Sequence, residues 1–275
     1  MENNYLTIYD IQREELEILK IVSKYLKDNN IKYSIYYGTL LGSVRHNGFI
    51  PWDDDIDLAI LRDDYDILIN CLIRDKGIID KKKGIEAEGF ELGNSICPYI
   101  KIINKKIDII DDFNYDKHLW IDMFPLDNVK DNNSLYFKKL DILRSIYFLK
   151  RDEINNLKPR NFKNSFFRFL VKPFSFNDFL KKYINYCKKY QSLKTNLISK
   201  NVWARKTVCQ KSKFEVEEVD FCGFNVYRVK DYDYFLKVLY GNDYMKLPPI
   251  EKRVTHLFKA KYSKEKDGDE HGEKI

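Results

Sequence analysis

The chain lacks most of what marks a disulfide-stapled, membrane-spanning or nucleic-acid-coating protein. Its five cysteines, Cys71, Cys97, Cys187, Cys209 and Cys222, are odd in number and scattered, with no C-x-x-C pair. This argues against a disulfide framework or a zinc knuckle and predicts reduced thiols in a cytoplasmic setting. No segment reaches the ~18 uninterrupted apolar residues of a spanning helix. The opening stretch, MENNYLTIYDIQREELEILKIV, lacks the basic region and apolar run of a signal peptide. No internal repeat or low-complexity linker is present. Neither sign of charge dominates: 48 Lys+Arg against 42 Asp+Glu leaves +6, which suits anionic ligands or a membrane surface but requires neither. Without a strongly basic domain or a recognised binding motif, no nucleic-acid partner is expected.

What is present reads as a folded chain. Apolar residues make up 44%, and the 20 Tyr and 18 Phe are far from a disordered composition. At 275 residues there is enough chain for one large domain or two smaller ones. Residues 11–28 place Ile11, Leu16, Leu19, Val22 and Leu26 along one face, which predicts an amphipathic helix ended by Asn29-Asn30. IKYSIYY (31–37) alternates like a strand, a short helix follows from about Leu40 to His46, and a second strand falls at about 55–61. A helix over RDDYDILINCLI then precedes strand-like pieces at 99–103, 106–110 and 119–124. Beyond Asp131 helical patterns rich in Lys, Tyr and Phe run to about 200. A strand at 224–229 and a helix over DYDYFLKVLYG follow. The expectation is an α+β fold in four parts: an N-terminal helix (1–30) on the core, a mixed-sheet core (31–130), a mainly helical part (131–260) that completes the site, and a charged flexible tail (261–275).

The chemistry is concentrated in GTLLGSVRHNGFIPWDDDIDLAI (38–60). As a strand, DIDLAI points Ile56, Leu58 and Ile60 one way and Asp55, Asp57 and Ala59 the other. Asp55 and Asp57 are then roughly 7 Å apart along one face, close enough to converge on a hard divalent cation that offsets their repulsion. An isolated DDD would read as a solvated turn. The strict alternation, with a small-residue turn just upstream, favours a Mg²⁺ (or Mn²⁺) site. That turn offers two candidates, Gly38-Thr39 and Gly42-Ser43, where backbone N–H groups opening a helix attract phosphate. Arg45 would add a charge-assisted contact. A third carboxylate is open between Asp108 in KIDII and Asp122 in WIDMFPLD, since each is an aspartate flanked by apolar residues.

A small turn after a strand followed by D-h-D resembles the nucleotidyltransferase superfamily of the polymerase-beta type. YYGTLLGSVRHNGFIPWDDDIDLAI, WIDMFPLD and YGNDYMKLPPIEKRVTHLF, in that order, resemble the LicD family of phosphotransferases, which is similar to fukutin and fukutin-related protein. The resemblance implies a nucleotidyltransferase-like mixed sheet flanked by helices. It selects Asp122 as the further acidic ligand beside Asp55 and Asp57, and Asp108 becomes an ordinary strand or turn residue. It also implies transfer of a phosphorylated alcohol, phosphocholine foremost or a polyol phosphate, from a CDP-linked donor to a hydroxyl of a glycan or lipid-linked glycan, with CMP released. Asp53 and Asp54, in the adjacent loop, would tune charge beside the site or contact the donor's alcohol.

Several other residues carry paired readings. His46 would contact phosphate or cap the helix end, and Lys101 would reach a donor phosphate or be solvated. Arg253 and His256, three apart in the third block, match the family without an assignable chemistry. Trp52 would stack on a base or a quaternary ammonium, or sit in a loop core, and Trp120 reads as core. Residues 162–190 interleave aromatics with Lys and Arg. They could form a peripheral contact with the inner face of a membrane, but read better as two ordinary amphipathic helices broken at Pro173, because Phe usually marks core. The alternatives to a LicD-type enzyme are a nucleotidyltransferase that leaves NMP on a small molecule, protein or RNA, and a non-catalytic binding protein of the same fold.

Overall fold

The computed structural model describes residues 5–110, 116–130, 134–159, 161–202, 207–253, 255 and 259–263. Helix α1 (Ile8–Asp28) starts at a reciprocal cap: the Asp10 N–H donates to the Thr7 hydroxyl at 3.2 Å and the Thr7 N–H donates to the Asp10 carboxylate at 3.0 Å. Ile11, Ile18, Leu19, Val22 and Leu26 recur at helical spacing and are buried. Asn29 closes the helix and Asn30, at φ 56°, turns the chain through the left-handed region that Asn tolerates.

The stretch expected as a strand over 31–37 yields only β1 (Ser34–Ile35), because Tyr37, at φ 45°, already turns the chain into α2 (Tyr37–Arg45). Then come β2 (Asp57–Leu61), α3 (Arg62–Arg74), β3 (Ile78–Asp80), β4 (Ile85–Glu88), β5 (Ile100–Ile110) and β6 (His118–Asn128). The two pieces expected at 99–103 and 106–110 are one strand, β5, whose register against β6 shifts between Asn104 and Asp108. After α4 (Ser134–Ile154), α5 (Phe162–Val171) and α6 (Phe176–Cys187) the chain returns to strands: β7 (Leu197–Ser199), β8 (Val208–Gln210), β9 (Val216–Phe221) and β10 (Phe224–Val229). Cys222 and Gly223, at φ 53° and 79°, form the two-residue turn of the β9–β10 hairpin. Helix α7 (Tyr232–Tyr240) and β11 (Lys259–Tyr262) complete the described elements.

The main sheet runs β1-β2-β6-β5-β4-β3, with β11 on β5 and with β7 joining β6 to β8. The β2–β6 pair is parallel and the others are antiparallel, so the sheet is mixed, which agrees with the expected α+β fold with a mixed core. Two apolar clusters hold it. One joins α1, α3 and the sheet to Phe221, Val226, Val229, Phe235 and Leu236. The stretch after α6 thus packs its hairpin and α7 back onto the main sheet. The other cluster sets Tyr136, Leu140 and Tyr147 of α4 and Leu180, Tyr183 and Ile184 of α6 against Tyr99 and Phe124. Each such burial contributes about 1.5–3 kcal/mol.

Two expectations need correction. The tail does not begin at Lys261: Lys261 pairs with Asp108 and Tyr262 with Ile107, because β5 offers an unpaired edge there. In 162–190 both helices form, but only α6 buries an apolar face, with Leu180, Tyr183, Ile184 and Cys187 inside. In α5 the buried residue is Arg168, while Phe162, Phe166, Phe167 and Phe169 are exposed.

Candidate active site

Parallel pairing of β2 with β6 puts Asp57 directly beside Asp122, and antiparallel pairing of β6 with β5 puts Lys101 on the other side of Asp122. Three candidate side chains thus share one row across three strands. Asp55, two residues ahead of Asp57, lines the same pocket, a cavity of about 430 Å³. The alternation read from DIDLAI holds: Asp55 and Asp57 share the pocket while Ile56, Leu58 and Ile60 are buried in the core. Asp108 is elsewhere. Its carboxylate accepts from Ser263 Oγ at 2.7 Å and lies 3.4 Å from His118.

The upstream turn fixes this row. The Asp57 N–H donates to Thr39 Oγ1 at 2.9 Å, which ties the start of α2 to the head of β2. Gly38 presses against the Asp53 carboxylate so closely that a Cβ there would collide with it. Gly42 and Ser43 serve the fold instead. A Cβ on Gly42 would strike the Gly48 carbonyl oxygen, and the buried Ser43 hydroxyl donates to the Leu40 carbonyl at 2.8 Å. Of the two candidate pairs, the structure brings Gly38-Thr39 to the aspartates.

Arg45, His46 and Arg253 gather around Trp52 and do not line the pocket. Arg45 donates to the carbonyls of Tyr244 (3.1 Å) and Lys246 (3.4 Å), which holds the loop after α7. Arg253 donates to the Pro248 carbonyl at 2.9 Å and lies 4.8 Å from the Trp52 ring, whose edge also meets His46. Burial and the Arg45 charge lower the His46 pKa. His256 lies outside the described residues.

Electrostatics separate the carboxyls. Burial, then the charges of Asp55 and Asp122, push Asp57 well above the ordinary carboxylate range. Burial raises Asp122 to about 6 against the opposing pull of Lys101. Lys101 lies 2.7 Å from Asp116 but 3.9 Å from Asp122, and over the Trp120 ring at 4.0 Å. Asp122 Oδ1 is buried without a hydrogen-bond partner. Among the described residues no three acidic, His or Cys side chains form a closed ligand set. The orphaned oxygen and the all-carboxylate donor set of Asp55, Asp57 and Asp122 nonetheless fit a hard divalent cation.

Three features escaped the sequence reading. Lys200 is buried with its Nζ 4.1 Å from the Tyr37 ring and 3.9 Å from that of Phe124. Tyr99 and Tyr147 add to the aromatic wall, and Asp116 and Arg151 to the polar one. Glu15 of α1 is buried and pushed well up by burial and then by Asp55 and Asp54. It sits four residues after Ile11 and four before Leu19, so the helical stripe itself carried the signal: a glutamate on the apolar face.

Carboxylates on neighbouring strands of a mixed sheet, faced by buried lysines and aromatic rings, form a site suited to phosphate chemistry rather than to apolar ligands. Sequence comparison assigns the lineage. Residues 30–169 match the family described as LicD/FKTN/FKRP, nucleotidyltransferase domain, and the chain belongs to it. It is 26% identical over 266 residues to the lipopolysaccharide cholinephosphotransferase LicD of Haemophilus influenzae, covering 94% of this chain and 98% of that protein. It is 27% identical over 125 residues to the mouse ribitol-5-phosphate transferase FKTN, covering 44% of this chain and 25% of that one. An uncharacterised protein of Rickettsia typhi is 44% identical over 63 residues, 23% of this chain and 18% of its own length.

Proposed function

We propose that this chain is a metal-dependent phosphotransferase that moves a phosphorylated alcohol from a CDP-linked donor to a glycan hydroxyl and releases CMP. The observation that carries this reading is the row of Asp57, Asp122 and Lys101 across three strands, with Asp55 on the same pocket. The acceptor oxygen forms a bond to the phosphorus bearing the alcohol, the bond from that phosphorus to the bridging oxygen breaks, and the bridging oxygen leaves with CMP. Asp55, Asp57 and Asp122 would hold Mg²⁺ or Mn²⁺, which when bound neutralises charge on the phosphate oxygens. The hydroxyl proton would pass to a carboxylate of the pocket, Asp122 among them. The buried ammonium groups of Lys101 and Lys200 offset donor charge in a pocket lined on one side by Tyr37, Tyr99 and Phe124.

Phosphocholine is the alcohol phosphate best supported, by the likeness that runs along 94% of the chain. A polyol phosphate is the second reading, favoured by Lys200, which already occupies the ring faces of Tyr37 and Phe124 that a quaternary ammonium would seek. CMP release measured from CDP-choline, CDP-ribitol and CDP-glycerol, with glycan acceptor and Mg²⁺ or Mn²⁺, tests both. One donor turned over above an Asp57→Asn blank supports the reading and names the alcohol. A product that retains NMP from a nucleoside triphosphate overturns it.

A further inference from the structure

Helix α5 is inside out. Of its ten residues the buried one is Arg168, while Phe162, Phe166, Phe169 and Leu170 are 86%, 52%, 73% and 47% exposed. Those four follow i, i+4, i+7 and i+8 spacing, so they form one stripe along the helix. Phe174, just beyond its end, is 67% exposed and extends the patch. The helix is fastened by its polar side. Arg168 donates to the Leu157 carbonyl and lies 3.4 Å from the buried Asp152 of α4. Lys150 donates to the Phe174 carbonyl. A charged residue spent inward while six large apolar residues, Phe167 included, face out is the reverse of the neighbouring α6. Nothing in the packing of α5 needs those rings outside.

The charge around this stripe is one-sided. Between Glu153 and Asp178 the sequence contains Lys158, Arg160, Lys163, Arg168 and Lys172 and no acidic residue. Lys158, Lys163 and Lys172 are exposed. An apolar stripe flanked by exposed lysines, with no acidic residue in its own segment and Asp152 buried beneath it, matches the interface of an anionic bilayer: rings enter the headgroup boundary and ammonium groups meet lipid phosphates. Protein partners seldom present a face that is negative and apolar at once over such a stretch. No helix among the described residues is long and apolar enough to cross a membrane, so attachment would be peripheral.

We propose that α5 and the turn after it, 162–174, dock the protein on an anionic membrane surface. The geometry gives this a use. Arg151 of α4 lines both the aspartate pocket and the hollow between α4 and α5 that is bordered by Lys163 and Phe167. A glycan carried on a lipid in that surface would therefore be presented beside the pocket. The docking claim is independent of the transfer chemistry and is tested without it.

The test is co-sedimentation of the full chain with phosphatidylcholine vesicles, alone and with about one third phosphatidylglycerol, at low and high salt. Expected are binding to the anionic vesicles, at least tenfold weaker binding to phosphatidylcholine alone, and weakening by salt. A Phe166→Ser/Phe169→Ser variant should lose about tenfold or more in binding with an unchanged thermal transition, since both rings are exposed. Failure to bind anionic vesicles, or equal binding by the variant, overturns the proposal. So does sedimentation equilibrium showing a dimer that the variant dissolves, which would assign the stripe to a second copy of the chain.

Discussion

Asp122 and Asp127 lie five residues apart on β6, an odd spacing that turns them to opposite faces, and the fold uses them in opposite ways. Asp127 is fully buried against the Arg62 guanidinium, which donates to it at 2.6 Å and itself rests 4.9 Å from the Tyr65 ring. Asp122 shares its row with Asp57, and its nearest cation, Lys101, is turned to Asp116. One carboxylate has a fixed cation against its Oδ1, although its Oδ2 is left without a hydrogen bond. The other is placed among like charges, where its ionised form is costly until something positive arrives. The same residue type on the same strand thus distinguishes a structural ion pair from a site that asks for a ligand.

The largest way to break this contrast is at Asp57. Asp57→Asn should lower CMP release by about 1000-fold or more, while the metal-free thermal midpoint stays level or rises, because a like charge leaves the cluster. Wild-type turnover by this variant would end the assignment. On the structural side, Arg62→Met should cost about 3–5 kcal/mol by urea denaturation, since it strands a buried carboxylate. Pairing it with Asp127→Leu should recover most of that loss, as removing both charges avoids the penalty.

Asp122 predicts an effect of the reverse sign. Its folded pKa, about 6, lies above the ordinary 3.8, so the folded state holds an extra proton between those values. Its contribution to stability is therefore present in full below about 3.8 and lost as pH rises through about 6. Without metal, Asp122→Asn should stabilise the protein relative to wild type by roughly 1–3 kcal/mol at pH 7 and by little at pH 4. Mg²⁺ should reverse that order, raising the wild type more than the variant. Denaturation at the two pH values, with and without Mg²⁺, checks both signs. Of similar size in stability, but silent in the chemistry, is Gly42→Ala, which should cost about 1–3 kcal/mol through the Gly48 carbonyl and leave KM for the donor unchanged. A raised KM would return Gly42 to the site.

The aspartates the sequence reading singled out come together on one pocket, and they could be singled out because their signals are local or contiguous. D-h-D alternation gave Asp55 and Asp57, and one undisturbed family block chose Asp122 over Asp108, which side-chain physics alone left open. Helices α1, α3 and α7 and strand β10 were legible for the same reason: each carries its own period. What stayed hidden depends on register and tertiary contact. Lys200 reaches the pocket from beyond α6, and nothing near it in sequence says that Tyr37 and Phe124 are its neighbours. The Phe residues of α5 were read as core because hydrophobicity states what should be covered, not what covers it. Arg253 and Arg45 match the family blocks, yet their hydrogen bonds go to loop carbonyls, so a motif match did not by itself fix a role.

Strand β11 has a topological consequence. The Leu6 N–H donates to the Ala260 carbonyl at 2.8 Å, and the Tyr262 hydroxyl donates to Glu14 at 2.7 Å, so residues near the two ends of the described chain are stitched side by side on β5. Backbone joined that closely can be ligated by a short linker and the chain reopened elsewhere, which makes this fold a natural host for circular permutation. New ends placed in the β9–β10 turn would leave the aspartate row intact, and the order of synthesis could then be varied while the site stays constant.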